Sequence, residues 1–386
     1  NLQVHDVYDL QEKDLVVAPP EFLKNFSPKW YFRDSNYSSD FPTSAQSAAW
    51  FLENSGGPKV DTVIAINQGL LKGLLEVTGP VQVGNFGELN SENYELLLSY
   101  VIEGKIWGEE DPKHILKVFI PELKNKLLKE EYLGKISSKL YKAVQQKHIM
   151  MWSRDESVEG FFDNTGISGR MAQIKENEDY LSVVNFSTGG SKSDKFVEES
   201  ITHETNIERS GDVVDEVTVT RKHQWTDEIY KAWKKELAKY GFTKMDDKLI
   251  DILGRGQNKV IMRIYVPEGS TFIEANKKGV EVKTDTKLHK TYFITELSMA
   301  AGKSDEIKIK YKLPFEIKFS PVGNYKLIAE KQPGSIGSIF TKLVHVDDGI
   351  INVGLYPTDS RIEGDGAIYA TNLVYDRTFS SLWERK

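Results

Sequence analysis

Hydrophobic residues along this chain change period several times, and each change predicts a different element. Val4, Val7 and Leu10 lie among polar residues ahead of Pro19-Pro20, which reads as the end of a strand and a loop. From Thr43 to Asn54, residues Ala45, Ala48, Ala49 and Leu52 recur at spacings of three and four, predicting a helix that Gly56-Gly57-Pro58 stops. Val60 to Ile66 is a nearly unbroken β-branched run, the pattern of a central strand covered on both faces. Leu70, Leu71, Leu74 and Leu75 then give helical spacing from Gln68 to Glu76, and Gly79-Pro80 closes that helix before a short strand, Val81 to Val83. Three more helices are predicted: from near Asn90-Ser91, from Pro112 to Lys129, and from Ile136 to Lys147. Ile149 to Trp152 reads as a strand, Phe161 to Gly169 as a loop or short helix, and Tyr180 to Asn185 as a strand.

Beyond that point the period falls to two. Phe196 to Ile207 alternates imperfectly, Ser210-Gly211-Asp212 is a turn, and Val213 to Lys222 alternates cleanly, so the pair predicts a long hairpin. One amphipathic helix, Thr226 to Tyr240, interrupts with Ile229, Trp233 and Leu237 stepping by four. Strands resume at Lys259 to Val266, Tyr292 to Leu297, Glu306 to Leu313, Tyr325 to Lys331 and Ile350 to Leu355, a spacing that suits a β-sandwich. The expected fold class is α+β. An N-terminal α/β domain, residues 1–195 and incomplete at its start, is followed by a β-rich, sandwich-like domain, residues 196–386, with helix 226–240 inserted.

Composition narrows the function classes. The chain has 386 residues and a formal net charge of −7, with acidic and basic residues interspersed, so no nucleic-acid partner is expected. The absence of cysteine excludes disulfides, thiolate metal sites and cysteine nucleophiles. No apolar run has the length of a membrane span, and the chain opens on Asn1 in mid-pattern, so the expectation is that a membrane anchor lies upstream.

The densest chemistry-bearing stretch runs from Trp30 to Ser44, where aromatic residues flank one arginine and two carboxylates just before a predicted helix. Arg33 could clamp a phosphate there, with Asn36, Ser44 and unpaired backbone N–H groups adding donors, and Asp34 and Asp40 could hold Mg²⁺. The same residue types equally describe a structural Arg33–Asp34 ion pair that pins an aromatic-rich loop. Asn185 to Asp194 is a glycine-containing loop after a strand, with Lys192 as a candidate ligand contact. It lacks the spacing of a phosphate loop, and a linker between domains explains it as well. Gly254 to Asn258 and Lys331 to Gly334 carry turn chemistry that places glycine where positive φ is needed. There is no His-x-x-x-His pair and no Gly-x-Ser-x-Gly elbow.

Phe32 to Ser44, Val60 to Ile66 and Leu74 to Val81 resemble a bacterial family of unknown function, numbered 4012 among such domains. His148 to Asp155, Asn185 to Asp194 and Tyr325 to Gly334 look like the same family. That family is similar in its N-terminal part to the LytR-CpsA-Psr proteins, membrane-anchored extracytoplasmic enzymes that move glycopolymers from a polyprenyl-pyrophosphate carrier onto peptidoglycan. The resemblance implies a cell-surface location, a polyprenyl-phosphate lipid or cell-wall glycopolymer as partner, and Arg33 and Asp34 near a pyrophosphate and its magnesium. The later arginine-rich cluster of those transferases has no counterpart here. Two functions are therefore expected: a LytR-CpsA-Psr-like glycopolymer phosphotransferase or carrier-binding protein, and a non-catalytic surface scaffold whose β-rich domain contacts itself or other surface proteins.

Overall fold

The computed structural model describes residue 16 and residues 29–386, so the strand and loop expected around Val4 to Leu10 lie outside the described residues. The chain divides into two compact units, each assembled from non-contiguous segments. The first comprises residues 1–170, 190–193 and 225–256, and the second residues 171–189, 194–224 and 257–386.

In the first unit, a short 3₁₀ turn, Phe32–Tyr37, leads into α1 (Phe41–Asn54). Then come β1 (Thr62–Ile66), α2 (Gln68–Thr78), β2 (Val81–Val83), β3 (Gly87–Leu89), α3 (Tyr94–Glu103), α4 (His114–Leu127), α5 (Leu133–Gln145), β4 (Ile149–Ser153) and α6 (Glu156–Thr165). β1 pairs antiparallel with β4 and β2 antiparallel with β3, giving two separate two-stranded sheets. The α/β layer expected here is therefore absent among the described residues, and so is the doubly covered strand. Thr62, Ile64 and Ile66 face solvent, because only the Val63 and Ala65 side of β1 is turned toward α1 and Trp152. The main core of this unit is helical. Leu97, Val101, Ile115 and Phe119 pack around Val83 and Leu89.

That core also takes in Leu237 and Leu253, which lie on α7 (Asp227–Ala238) and just after α8 (Asp247–Ile250). The helix predicted as an insertion in the β-rich domain thus packs in the first unit, with Trp233 and Leu237 as its buried stripe.

The second unit holds two seven-stranded sheets. One has the order β10 (Glu281–Asp285), β11 (Lys290–Met299), β8 (Asn258–Pro267), β5 (Asp179–Ser187), β13 (Val322–Glu330), β18 (Arg377–Arg385) and β15 (Ile350–Tyr356). The other runs β16 (Arg361–Glu363), β17 (Gly366–Asn372), β14 (Ile339–Val346), β6 (Val197–Ile207), β7 (Asp212–His223), β12 (Ser304–Glu316) and β9 (Thr271–Ala275). A single core joins the inner faces: Leu181, Met262, Phe293, Leu327 and Trp383 from the first sheet meet Ile201, Val217, Ile309, Phe340 and Tyr369 from the second. This is the sandwich that the alternation predicted. Its start lies upstream of residue 196, because β5 bonds to β8 and β13 and is a central strand of its sheet. The predicted hairpin is β6 and β7, turned at Gly211, whose φ of 102° suits glycine. Gly334 has the positive φ expected of it, whereas Gly254 and Gly256 do not use that region.

Candidate functional site: a basic pocket and a sealed polar cluster

The stretch from Trp30 to Ser44 is held by its own side chains. Asp34 Oδ2 accepts from the Tyr31 N–H at 3.2 Å and lies 3.8 Å from Arg33 Nε, while the Trp30 indole donates to the Asp34 carbonyl at 2.8 Å. The Arg33 guanidinium stands 4.5 Å from the centre of the Tyr31 ring. Asp40 is buried as the N-cap of α1, accepting from Thr43 N at 3.2 Å and Thr43 Oγ1 at 2.7 Å. The Ser44 hydroxyl donates to the Ser38 carbonyl at 3.0 Å, and Asn36 is exposed in the 3₁₀ turn. Lys192 lies 2.8 Å from Glu103. Each named residue thus has a local structural task or faces solvent, and no contact brings Lys192 to the Arg33 loop.

Chemistry of the kind expected at that loop gathers instead between α2 and α5. Gly69, Lys72, Gly73 and Glu76 follow one another at helical spacing on one face of α2, and Lys139, Lys142 and Ala143 do so on α5. With His148 these residues line a pocket of about 150 Å³. Lys147, in the left-handed region at φ 54°, ends the turn after α5 and delivers His148 to the start of β4. Asn67 ties that corner to α2: its N–H donates to the His148 carbonyl at 3.1 Å, its amide to the Lys147 carbonyl at 3.1 Å, and its Oδ1 caps Gly69 N at 3.2 Å. A Cβ at position 69 would stand 2.4 Å from His148 Nε2, so any larger residue there requires the ring to shift.

The pocket has a positive bias. Glu76 bonds Lys139 at 2.5 Å, and its carboxyl is held below the usual range by that hydrogen bond and by the charges of Lys139, Lys72 and Lys142. Three lysines therefore surround one carboxylate. Ile64 and Ile66 on β1 are 52% and 64% exposed. They stand opposite Met151 and Ile149 in the β1–β4 register; Leu70 and Ala143 cover Ile149 on that face and leave the two β1 isoleucines exposed.

A second concentration of chemistry is sealed inside the sandwich. His203 and Thr205 on β6, Asp215 on β7, Tyr311 on β12 and Lys342 on β14 point inward from one sheet, and Asp179 on β5 and Tyr325 on β13 from the other; all are fully buried. Lys342 Nζ lies 2.8 Å from His203 Nδ1 and bonds Thr205 Oγ1, which in turn bonds Asp215 Oδ1. The Tyr325 hydroxyl donates to Asp179 Oδ2 at 2.5 Å. Burial pushes the Asp179 carboxyl up to about 6 and Asp215 well above the usual range, and it lowers Lys342 to about 8. His203 is driven well below its ordinary value by burial and by the Lys342 charge. Among the described residues, Asp179, His203 and Asp215 are the one group of three His, Asp or Glu side chains whose ligating atoms converge; Asp34 and Asp40 form no such group.

No helix among the described residues is long and apolar enough to cross a membrane. No curated protein matches the chain in sequence. Solved structures overlap it only loosely. A Legionella pneumophila protein described as nutrient binding shares 10% identity at a TM-score of 0.31, covering 53% of this chain and 72% of that one. An M1 zinc metallopeptidase from Deinococcus radiodurans gives 10% and 0.24, with 49% and 42% covered, and leukotriene A4 hydrolase from Saccharomyces cerevisiae gives 9% and 0.25, with 50% and 30% covered. The model of a family described as a protein of unknown function (DUF4012) matches residues 3–101, a stretch that contains α1, β1 and α2 and hence the Gly69 to Glu76 wall of the basic pocket.

Proposed function

We propose that this is an extracytoplasmic cell-envelope protein that binds the phosphate end of a polyprenyl-linked glycopolymer carrier between α2 and α5. The observation that carries the reading is the hollow walled by Lys72, Lys139, Lys142 and His148, in the unit whose strand β1 also exposes Ile64 and Ile66. A hollow of about 150 Å³ suits a phosphate or pyrophosphate headgroup, and lysine ammonium groups supply point charges for its oxygens. The two isoleucines offer an apolar surface to the first isoprene units of the chain. The LytR-CpsA-Psr resemblance of the Phe32 to Val81 region points to the same class of ligand. The reading is one of binding, because Arg33, Asp34 and Asp40 are engaged in the loop that they stabilise.

Calorimetric titration of a short-chain polyprenyl pyrophosphate, with and without Mg²⁺, tests it. Binding lost in Lys142→Glu and retained in Arg33→Ala supports the pocket. Loss confined to Arg33→Ala would move the ligand to the loop, and no heat with the wild-type protein would overturn the reading. A surface-scaffold role has one observation in its favour: β15 and β16 are edge strands, with Val353, Tyr356 and Ile362 exposed. Concentration-dependent sedimentation that Ile362→Lys abolishes would support it.

A further inference from the structure

We propose that Asp179, His203 and Asp215 form a binding site for one divalent cation of the zinc(II) type, buried between the two sheets of the sandwich. His203 Nε2 is 3.7 Å from Asp179 Oδ2 and 3.7 Å from Asp215 Oδ2. These separations exceed a hydrogen bond, which ends near ~3.2 Å. They match the spacing of ligand atoms held at ~2.0–2.2 Å around one zinc ion, which stand ~3.3–3.8 Å apart in tetrahedral or trigonal geometry. Asp215 Oδ2 is buried, faces His203 and meets no donor in hydrogen-bond geometry, and the Asp215 carboxyl lies close enough to Asp179 and Tyr311 that the two carboxylates can sit together only with a shared proton or a cation between them. An orphaned carboxylate oxygen in a sealed core is costly unless a cation or a proton completes it.

The second atom of each ligand group is already fixed, as a built metal site requires. Asp179 Oδ1 accepts from Tyr180 N at 2.7 Å, Asp215 Oδ1 accepts from the Thr205 hydroxyl, and His203 Nδ1 lies 2.8 Å from Lys342 Nζ. Binding at Nε2 releases one proton from the Lys342–His203 pair, because Nδ1–H can donate only to a neutral Lys342 amine, and it is then that the Nε2 lone pair is turned to the two carboxylates. The Tyr311 hydroxyl, 3.2 Å from Nε2, borders the remaining coordination position. Two carboxylates offset the two charges of the ion, and one nitrogen with two oxygens is a donor set that suits zinc(II). All three ligands are fully buried, so the ion would enter as the chain folds and would act on stability and not on a substrate.

The test unfolds the full chain in denaturant with chelator and refolds it with either zinc(II) or chelator, then removes loose metal and measures content by plasma mass spectrometry. The expected result is one zinc per chain, a higher Tm than the chelated sample, and a cobalt(II) form with visible d–d bands. Asp215→Asn and His203→Gln should lose the bound ion. A wild-type chain that retains no metal and melts identically in zinc and chelator overturns the proposal, whether or not the variants fold. So does equal retention by refolded His203→Gln. Neither result depends on the lipid titration, which reads a different unit of the chain.

Discussion

The Tyr325 hydroxyl stands 3.0 Å from Thr205 Oγ1, so a strand of one sheet is joined to a strand of the facing sheet through a hydroxyl that also bonds Lys342 and Asp215. Thr205 is the hub of the sealed cluster, and it is chemically the least conspicuous member. Thr205→Val keeps the shape and removes the oxygen, leaving a buried amine and a buried carboxyl short of a partner. A loss of about 3 kcal/mol is expected in urea unfolding of the metal-free protein. Thr218→Val, an outward-phase position on β7, should stay within about 0.5 kcal/mol. Equal effects at the two positions would mean that the cluster adds nothing specific.

The same cluster gives stability a pH dependence of unusual sign. Burial lowers the folded-state pKa of Lys342 from 10.5 to about 8, against the Asp215 and Asp179 charges that raise it. Between those values the unfolded chain carries a proton that the folded chain lacks, so this group makes stability rise with pH. Asp179, with its pKa raised from 3.8 to about 6, and Asp215, raised well above its ordinary range, act in the opposite sense, so their contribution falls as pH climbs from the ordinary carboxylate range through their folded values. Above pH 10 the sign turns again, because burial keeps Tyr180, Tyr311 and Tyr325 protonated in the folded state only. The Lys342 contribution, read as the difference between the metal-free wild type and Lys342→Met, should therefore rise from pH 8 to 10, by on the order of 2–3 kcal/mol at full titration. Chemical denaturation across that range checks it, and Lys342→Met should flatten the curve. An unchanged curve in the variant would remove Lys342 as the source.

Much of this architecture was legible from periodicity, because a helix or strand that buries one face must repeat its apolar residues at that element's pitch. The helices from Gln68 to Lys147 and the β6–β7 hairpin came through on that ground. What failed was assignment to units: α7 shows an apolar stripe but nothing in its sequence says which core receives Leu237. The short strands β9, β10 and β16 are sheet edges and bury too little to leave a pattern, whereas β14, β17 and β18 go unpredicted although Phe340, Tyr369 and Trp383 lie in the core. The sealed cluster did leave a trace. The imperfect alternation of Phe196 to Ile207 consists of His203 and Thr205 standing at inward positions, in phase with Ile201 and Ile207, just as Asp215 stands in phase with Val213 and Val217. Polar residues in the buried phase of a strand were the available signal. The basic pocket left one too, since Gly69, Lys72, Gly73 and Glu76 share the face opposite the leucines whose spacing predicts α2.

Glu76 competes with any anion for the lysines of the pocket. Its carboxylate bonds Lys139 at 2.5 Å and sits in the field of Lys72 and Lys142. Glu76→Gln removes that internal counter-charge while keeping a side chain of the same length. Pyrophosphate or polyprenyl phosphate affinity should rise by roughly tenfold, about 1.4 kcal/mol, and should fall more steeply with added salt than in the wild type. Weaker binding in the variant would show that Glu76 is itself a ligand contact and that the site prefers a cationic or neutral group.

Gly69 connects the pocket to the packing beneath it. The His148 ring lies across the start of α2 so closely that a methyl group at position 69 would stand 2.4 Å from Nε2 and 2.5 Å from Cε1. The His148 backbone is held at both ends, its carbonyl by Asn67 N and its N–H by the Ala143 carbonyl at 2.7 Å, so relief has to come from rotation of the ring itself. Gly69→Ala should therefore raise intrinsic helix propensity and still destabilise the first unit, by about 1–3 kcal/mol from overpacking. Gly73→Ala is the matched control: its Cβ would meet only Lys139 Cδ, at an ordinary 3.5 Å, so propensity dominates and stability should rise by up to about 1 kcal/mol. Opposite signs for two glycines four residues apart on one helix would confirm that the His148 contact sets the α2–β4 geometry. If both variants are stabilised, the ring has room to move, and the pocket wall it forms is not rigid.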